Sequence, residues 1–124
     1  MNDPKDFKIP SSFCLFGHKF TVVIVDDMFE KEDRYGDIDH DTKLIRIQRK
    51  KSVTKTYKDN KKDKSVIIEL TDETVIETLF HEMAHAILES LGECKLSDNE
   101  ALVNMIGKAM LEIYLTSEYT DNKK

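Results

Sequence analysis

From residue 71 to residue 92 the apolar positions are Val75, Ile76, Leu79, Phe80, Met83, Ala84, Ile87, Leu88 and Leu91. Steps of three and four predict a helix whose apolar residues form one broad stripe. Thr71 stands where a cap is wanted, and Asp72 and Glu73 fall in a first turn whose dipole favours acids. Gly92 supplies the left-handed stop. Thr74, Thr78, His81, Glu82, His85 and Glu89 fall opposite the apolar stripe as a polar strip. A second helix is predicted from Ser97 or Asp98 to about Ser117. In it only Asn104, Lys108 and Glu112 make a clear polar stripe, so most of its surface should be covered. The short link over residues 93–96 makes the two helices antiparallel neighbours or sets them at an angle.

The first half of the chain reads differently. Phe7, Ile9 and Pro10 suggest an extended lead-in. Residues 13–16 and 19–25 read as two strands around a turn at Gly17 and His18, the second rich in Val, Ile and Thr. Asp26 and Asp27 end it, and residues 28–34 suggest a short helical turn. Residues 35–47 look like a hairpin, with turn chemistry at residues 39–42 and with Ile45 and Ile47 on one face. Residues 65–70 form an extended lead-in or a further strand before the long helix. The sum is an α+β fold: a small, mostly antiparallel sheet packed with two C-terminal helices. No internal repeat or linker divides residues 1–124, so a single domain is expected, with residues 118–124 as a flexible tail.

A length of 124 residues suits a modest core. The apolar runs are short and broken by charge, so no segment should span a bilayer. Residues 1–6 carry no basic and apolar run of the signal type, and a cytoplasmic location is the expectation. Cys14 and Cys94 are the two cysteines, too few for a disulfide framework, and both read as reduced, buried thiols. The net charge of −5 argues against a general nucleic-acid binder. That charge is uneven. Residues 49–64 hold Arg49, Lys50, Lys51, Lys55, Lys58, Lys61, Lys62 and Lys64 against Asp59 and Asp63, or +6, which leaves −11 elsewhere. The plain reading is a solvated loop or hairpin insertion over residues 50–64, kept soluble by lysine. The sharper one is a patch for an acidic partner, although Tyr57 is its one aromatic residue and the stacking pattern of single-strand binding is missing.

The candidate chemistry lies on the first helix. His81-Glu82-Met83-Ala84-His85 is an H-E-x-x-H pattern. Residues four apart lie one turn above the other, so two imidazoles there can share one metal ion. The Glu between them can reach a water activated by that metal without being a ligand. Both histidines could instead be ordinary helix-surface residues, but they fall on the polar strip with Glu82.

A catalytic zinc usually takes three protein ligands and keeps one open position. Glu89, Glu93, Cys94, Asp98 and Glu100 are the candidates that follow. Glu89 would have to bend back along its own helix. Glu93 and Cys94 sit in the link. Glu100, in the first turn of the second helix, can approach from a separate direction. Yet Ser97-Asp98-Asn99-Glu100 is also S-x-x-E, the capping-box pattern, and spacing alone leaves ligand and cap equally open.

His81-Glu82-Met83-Ala84-His85 followed by residues 97–103 resembles the small zinc metallopeptidase-like proteins of phages and prophages. These are gluzincin-type domains akin to the core of the ImmA/IrrE peptidases. Ile9-Pro10, Phe16-Gly17, Tyr35-Gly36 and Thr78-Leu79-Phe80 agree with the same likeness. The resemblance implies a minimal zincin-like fold and a Zn2+ cofactor. It implies metal ligands at His81, His85 and Glu100, with Glu82 as general base. It covers most of the chain apart from the basic segment and the tail. Against the larger relatives this form is minimal, with no helix-turn-helix segment ahead of the peptidase part, so regulation of that kind is not expected.

The expected activity is hydrolysis of a peptide bond in a peptide or protein substrate. No residue stands out for the oxyanion; Tyr35, Tyr114 and His40 qualify by type alone, and His18 and His40 read most simply as surface or turn histidines. The alternative is a zincin-fold binding or regulatory module of phage origin that uses its basic segment as the interaction surface. Nucleic-acid binding through that segment would instead give an affinity falling steeply with salt.

Overall fold

The computed structural model describes residues 1–32, 34–49 and 52–120. Lys50 and Lys51 of the basic run and residues 121–124 of the expected tail lie outside them. Residues 118–120 are exposed and without regular structure. In chain order the elements are a 3-10 turn at Pro4–Asp6, β1 (Ser12–Leu15), β2 (His18–Val25), α1 (Met28–Glu32), β3 (Gly36–Asp39) and β4 (Leu44–Gln48). Then follow β5 (Ser52–Asp59), β6 (Lys62–Glu69), α2 (Asp72–Ser90), α3 (Cys94–Ser97) and α4 (Glu100–Thr116).

The α+β class holds. β1 to β4 form one sheet in the order β1-β2-β4-β3. The β1–β2 and β3–β4 pairs are antiparallel, as the two predicted turns require. The central β2–β4 pair is parallel, running from Thr21↔Leu44 to Val25↔Gln48. Alternation in β2 and β4 turns Phe20, Val22, Ile45 and Ile47 to one buried face. That face packs on α2, where Leu79 completes the core cluster with Met83 against it.

α2 begins as predicted. Thr71 caps it by accepting a hydrogen bond from the Thr74 backbone N–H at 3.1 Å, and Gly92 takes φ +78° just past its end. Two details of its faces differ from the prediction. Leu91 is exposed, because it lies at the C-cap beyond the reach of the sheet, while Ala86 is fully buried. The N-terminal segment is tied down across the helices. Asn2 donates from its side chain to the carbonyls of Tyr114 and Ser117, capping the end of α4. Phe7 packs edge-on against both Phe80 and Tyr114.

The link between the long helices is not a plain connection but holds the single turn α3. The second long helix starts later than Ser97 or Asp98. Asn99 is its cap, accepting from the Leu102 N–H at 3.1 Å, so the capping box that the S-x-x-E spacing left open does not form. Nor is α4 mostly covered. It has α2 on one side only, and the face away from α2 leaves Met105 and Ile113 more than 60% exposed. The cysteines are unpaired, as expected, but exposed rather than buried: β1 is an edge strand with Cys14 on its open side, and Cys94 opens the surface turn α3.

The basic segment is the hairpin β5–β6, registered from Ser52↔Glu69 to Asp59↔Lys62. It forms a separate two-stranded sheet whose described residues are nearly all exposed, and it touches the rest of the fold mainly at α1. No helix among the described residues is long and apolar enough to cross a membrane.

Candidate functional site

α2 presents His81 and His85 one turn apart, with ring centroids 4.9 Å from each other. α4 then brings Glu100 across. Its contact face runs through Val103, Gly107 and Leu111, the three buried residues of that helix. Glu100 lies three residues before Val103, so the seam that packs α4 on α2 also aims Glu100 at α2. Gly107 permits the approach: a Cβ there would stand 3.2 Å from both N and Cα of His81. Glu100 Oε2 lies 3.2 Å from His81 Nε2, and Oε1 lies 3.3 Å from His85 Nε2.

One ligand atom from each of His81, His85 and Glu100 falls within 4.8 Å of the others, so the three could hold a metal ion. Ligand atoms around a tetrahedral centre with bonds of ~2.0–2.1 Å stand about 3.3–3.4 Å apart, and the two His–Glu contacts, one to each carboxylate oxygen, are close to that separation. The donors, two imidazole nitrogens and a carboxylate oxygen, suit a divalent ion of borderline softness. The side chain of Glu100 is 63% exposed while those of the histidines are mostly covered, so the group opens to solvent on the Glu100 side.

Glu82 belongs to the wall and not to the donor group. It is only 5% exposed, and its Oε1 lies 3.8 Å from His81 Nε2. The predicted polar strip is thus not a solvated face. β3 covers it at Gly36, where an added Cβ would meet the Thr78 methyl at 2.6 Å, the Arg46 carbonyl at 3.2 Å and Glu82 Cγ at 3.5 Å. Burial, then the nearby carboxylates of Asp37, Glu100 and Glu89, push the Glu82 carboxyl up to about 8. Burial, and next the adjacent His85, lower the His81 imidazole from its ordinary value. That favours the neutral ring a metal requires.

Ser97 has a place at the site that the sequence pattern did not show. It is buried, and its Oγ lies 2.8 Å from His85 Nδ1. A contact on one ring nitrogen fixes how the other is presented, here Nε2 toward Glu100. The S-x-x-E spacing that suggested a capping box holds Ser97 and Glu100 on opposite sides of the same imidazole.

Two cavities share this centre. One, of about 390 Å3, runs over Asp37, His81, His85, Glu89, Ser97 and Glu100, with Arg34 and Asp98 also on its wall. The other, of about 320 Å3, lies toward the start of α2 and is lined by Tyr35, Gly36, Thr74, Glu77, Thr78, His81, Glu82 and Asn104. Asp37 is held by Arg46, whose Nε donates to Asp37 Oδ1 at 2.9 Å and whose Nη2 donates to both Asp37 and Glu32. Those carboxylates keep the Arg46 guanidinium charged, raising it above its ordinary value.

The remaining candidates separate clearly. Glu89 and Asp98 line the larger cavity but do not join the donor group, and neither do Glu93 and Cys94. Tyr35 lies on the smaller cavity, stacked on Phe29 with centroids 4.7 Å apart. Tyr114 is at the far end of α4, against Phe7 and the Asp3 carbonyl. His40 is half-buried in the β3–β4 turn, with Nδ1 3.6 Å from Glu89 Oε2. His18 is exposed at the start of β2. No family model, curated protein or solved structure matches the chain.

Proposed function

We propose that the protein is a zinc-dependent metallopeptidase with a minimal zincin-like domain. The observation that carries the reading is the convergence of His81, His85 and Glu100 on one point, with the buried carboxyl of Glu82 beside it. His81, His85 and Glu100 would hold the ion. Zinc bound there supplies Lewis acidity to the scissile carbonyl and an acidified water at neutral pH. Held ionised by the charge of the bound ion, Glu82 would accept the proton of the attacking water at Oε1 and return it to the leaving amine. With its proton on Nδ1 and donated to Ser97, His85 offers Nε2 as the ligand atom. β3 is an edge strand beside α2, and a peptide can add there as a further strand.

The test combines metal analysis with cleavage. The purified protein should contain about one zinc per chain and cleave members of a broad peptide library. Glu82→Gln should keep the zinc and lose roughly 10^2–10^4-fold in kcat/KM, the usual worth of a positioned acid–base group. A folded protein that takes up no zinc would sink the reading.

One observation favours a second reading, a zincin-fold module of phage origin whose work is binding. The exposed β5–β6 hairpin stands apart from the sheet and carries Lys55, Lys58, Lys61, Lys62 and Lys64. Deleting it separates the two: loss of an acidic partner with cleavage absent throughout favours the module, and retained cleavage favours the peptidase.

A further inference from the structure

We infer that the cavity at the start of α2 is a specificity pocket for a lysine or arginine side chain of the substrate, with Glu77 as the residue that selects it. This deepens the peptidase reading and rests on it for the word substrate; the binding preference itself does not.

The pocket's position comes first. Its lining includes His81 and Glu82, so whatever fills it lies next to the reacting centre. At about 320 Å3 it has room for one long side chain but not for a folded element. Its walls are fixed. Tyr35 is stacked on the buried Phe29, and the Thr78 hydroxyl donates to the Thr74 carbonyl at 2.8 Å, which holds the Thr78 methyl toward Gly36. Gly36 itself contributes no side chain.

The chemistry of the lining comes second. Among the described residues, no Lys or Arg lines it, while two carboxyls, Glu77 and Glu82, are present. Glu82 is buried to 5% exposure and faces His81 at 3.8 Å, too far for a hydrogen bond. Glu77 is half-buried on α2, one turn before His81. The other functions are neutral: the amide of Asn104, the ring of Tyr35 and the two threonines. An aliphatic stem ending in a cation matches this lining, with the stem along Tyr35 and Thr78 and the charge at Glu77. An acidic side chain would meet the like charge of Glu77, so the pocket favours the cationic class over the anionic one.

The test uses binding and cleavage on the zinc-loaded full chain. The probes are two fluorescein-labelled pentapeptides, Ala-Ala-Lys-Ala-Ala and the same peptide with norleucine for lysine. They share a four-carbon stem and differ in the charged head. Binding is read by anisotropy in the Glu82→Gln variant, which leaves the peptides intact. The lysine peptide should bind at least about 10-fold tighter than the norleucine peptide. Glu77→Gln added to that variant should erase the difference by weakening the lysine peptide, and Glu77→Lys should turn the preference toward a glutamate-containing peptide. Equal binding of the lysine and norleucine peptides, or a lysine preference untouched by Glu77→Gln, overturns the inference. Cleavage by the wild type is scored separately. A lysine preference that depends on Glu77 in a protein that cleaves nothing retains the pocket and removes the peptidase reading; cleavage with no such preference does the reverse.

Discussion

The Ser97 hydroxyl is 2.8 Å from Nδ1 of His85, and the loss of that one contact separates a positioning role from a packing role. Ser97→Ala keeps the buried volume almost intact and removes the partner that orients the ring. Such partners are worth roughly 10–100-fold in metal affinity. The expectation is a zinc affinity lowered by that factor in competition with a chelator, with unchanged helix content. Unaltered affinity would mean that packing alone sets the ring. The same four residues show why the sequence left Glu100 undecided. Ser97, Asp98 and Asn99 are all cap-type residues, and which of them caps depends on how the chain leaves α3. Asn99 takes the role, which frees Ser97 and Glu100 for His85. Local spacing carries no information on that choice, whereas the i, i+4 geometry of His81 and His85 needs only the helix they sit on.

At the scale of elements, two glycines set how closely the layers meet at the site. Gly107 adds nothing to a hydrophobic pattern in α4, yet it continues the Val103 and Leu111 seam against His81. A glycine in a helix contributes nothing to hydrophobic periodicity, so its place in a contact face shows only in three dimensions. Gly36 is the more decisive test. A Cβ there would sit 2.6 Å from the Thr78 methyl, and Thr78 cannot swing away without giving up its bond to the Thr74 carbonyl. Gly36→Ala should therefore destabilise the fold by about 1–3 kcal/mol, the usual cost of overpacking. Thr78→Ser deletes the offending methyl and keeps the hydroxyl. The double variant should recover more than half of the loss in urea unfolding. Full recovery is not expected, since the Arg46 carbonyl would remain 3.2 Å from the new methyl. Additive losses in the double variant would show that the β3–α2 contact is not what the glycine protects.

Across the whole molecule, the legible parts were those encoded by local period and charge. Both long helices, the two hairpins of the first sheet and the separateness of the basic segment follow from patterns within about twenty residues. The parallel β2–β4 pairing and the clasp of Asn2 on the end of α4 join distant segments, and no periodicity announces them. The basic segment marks the other limit, since its charge predicts exposure but not shape. As a two-stranded hairpin with its own register it places none of its described side chains in the buried core. An isolated two-stranded hairpin is marginal in water, so this one draws little stability from the body and returns little to it. Its ends, Ser52 and Glu69, are register partners about 5 Å apart, close enough for a two-residue glycine-containing turn to join the flanking chain. Replacing residues 52–69 by such a turn should leave Tm within a few degrees of the full chain, because the core of β2, β4, α2 and α4 is intact. Zinc stoichiometry and Glu82-dependent cleavage should persist, because every wall of the two cavities lies outside the excised residues. A cooperative loss of structure would show that the hairpin braces α1, its one substantial neighbour, and through Phe29 the ring of Tyr35. Intact structure with cleavage lost would instead make the hairpin part of how substrate is held.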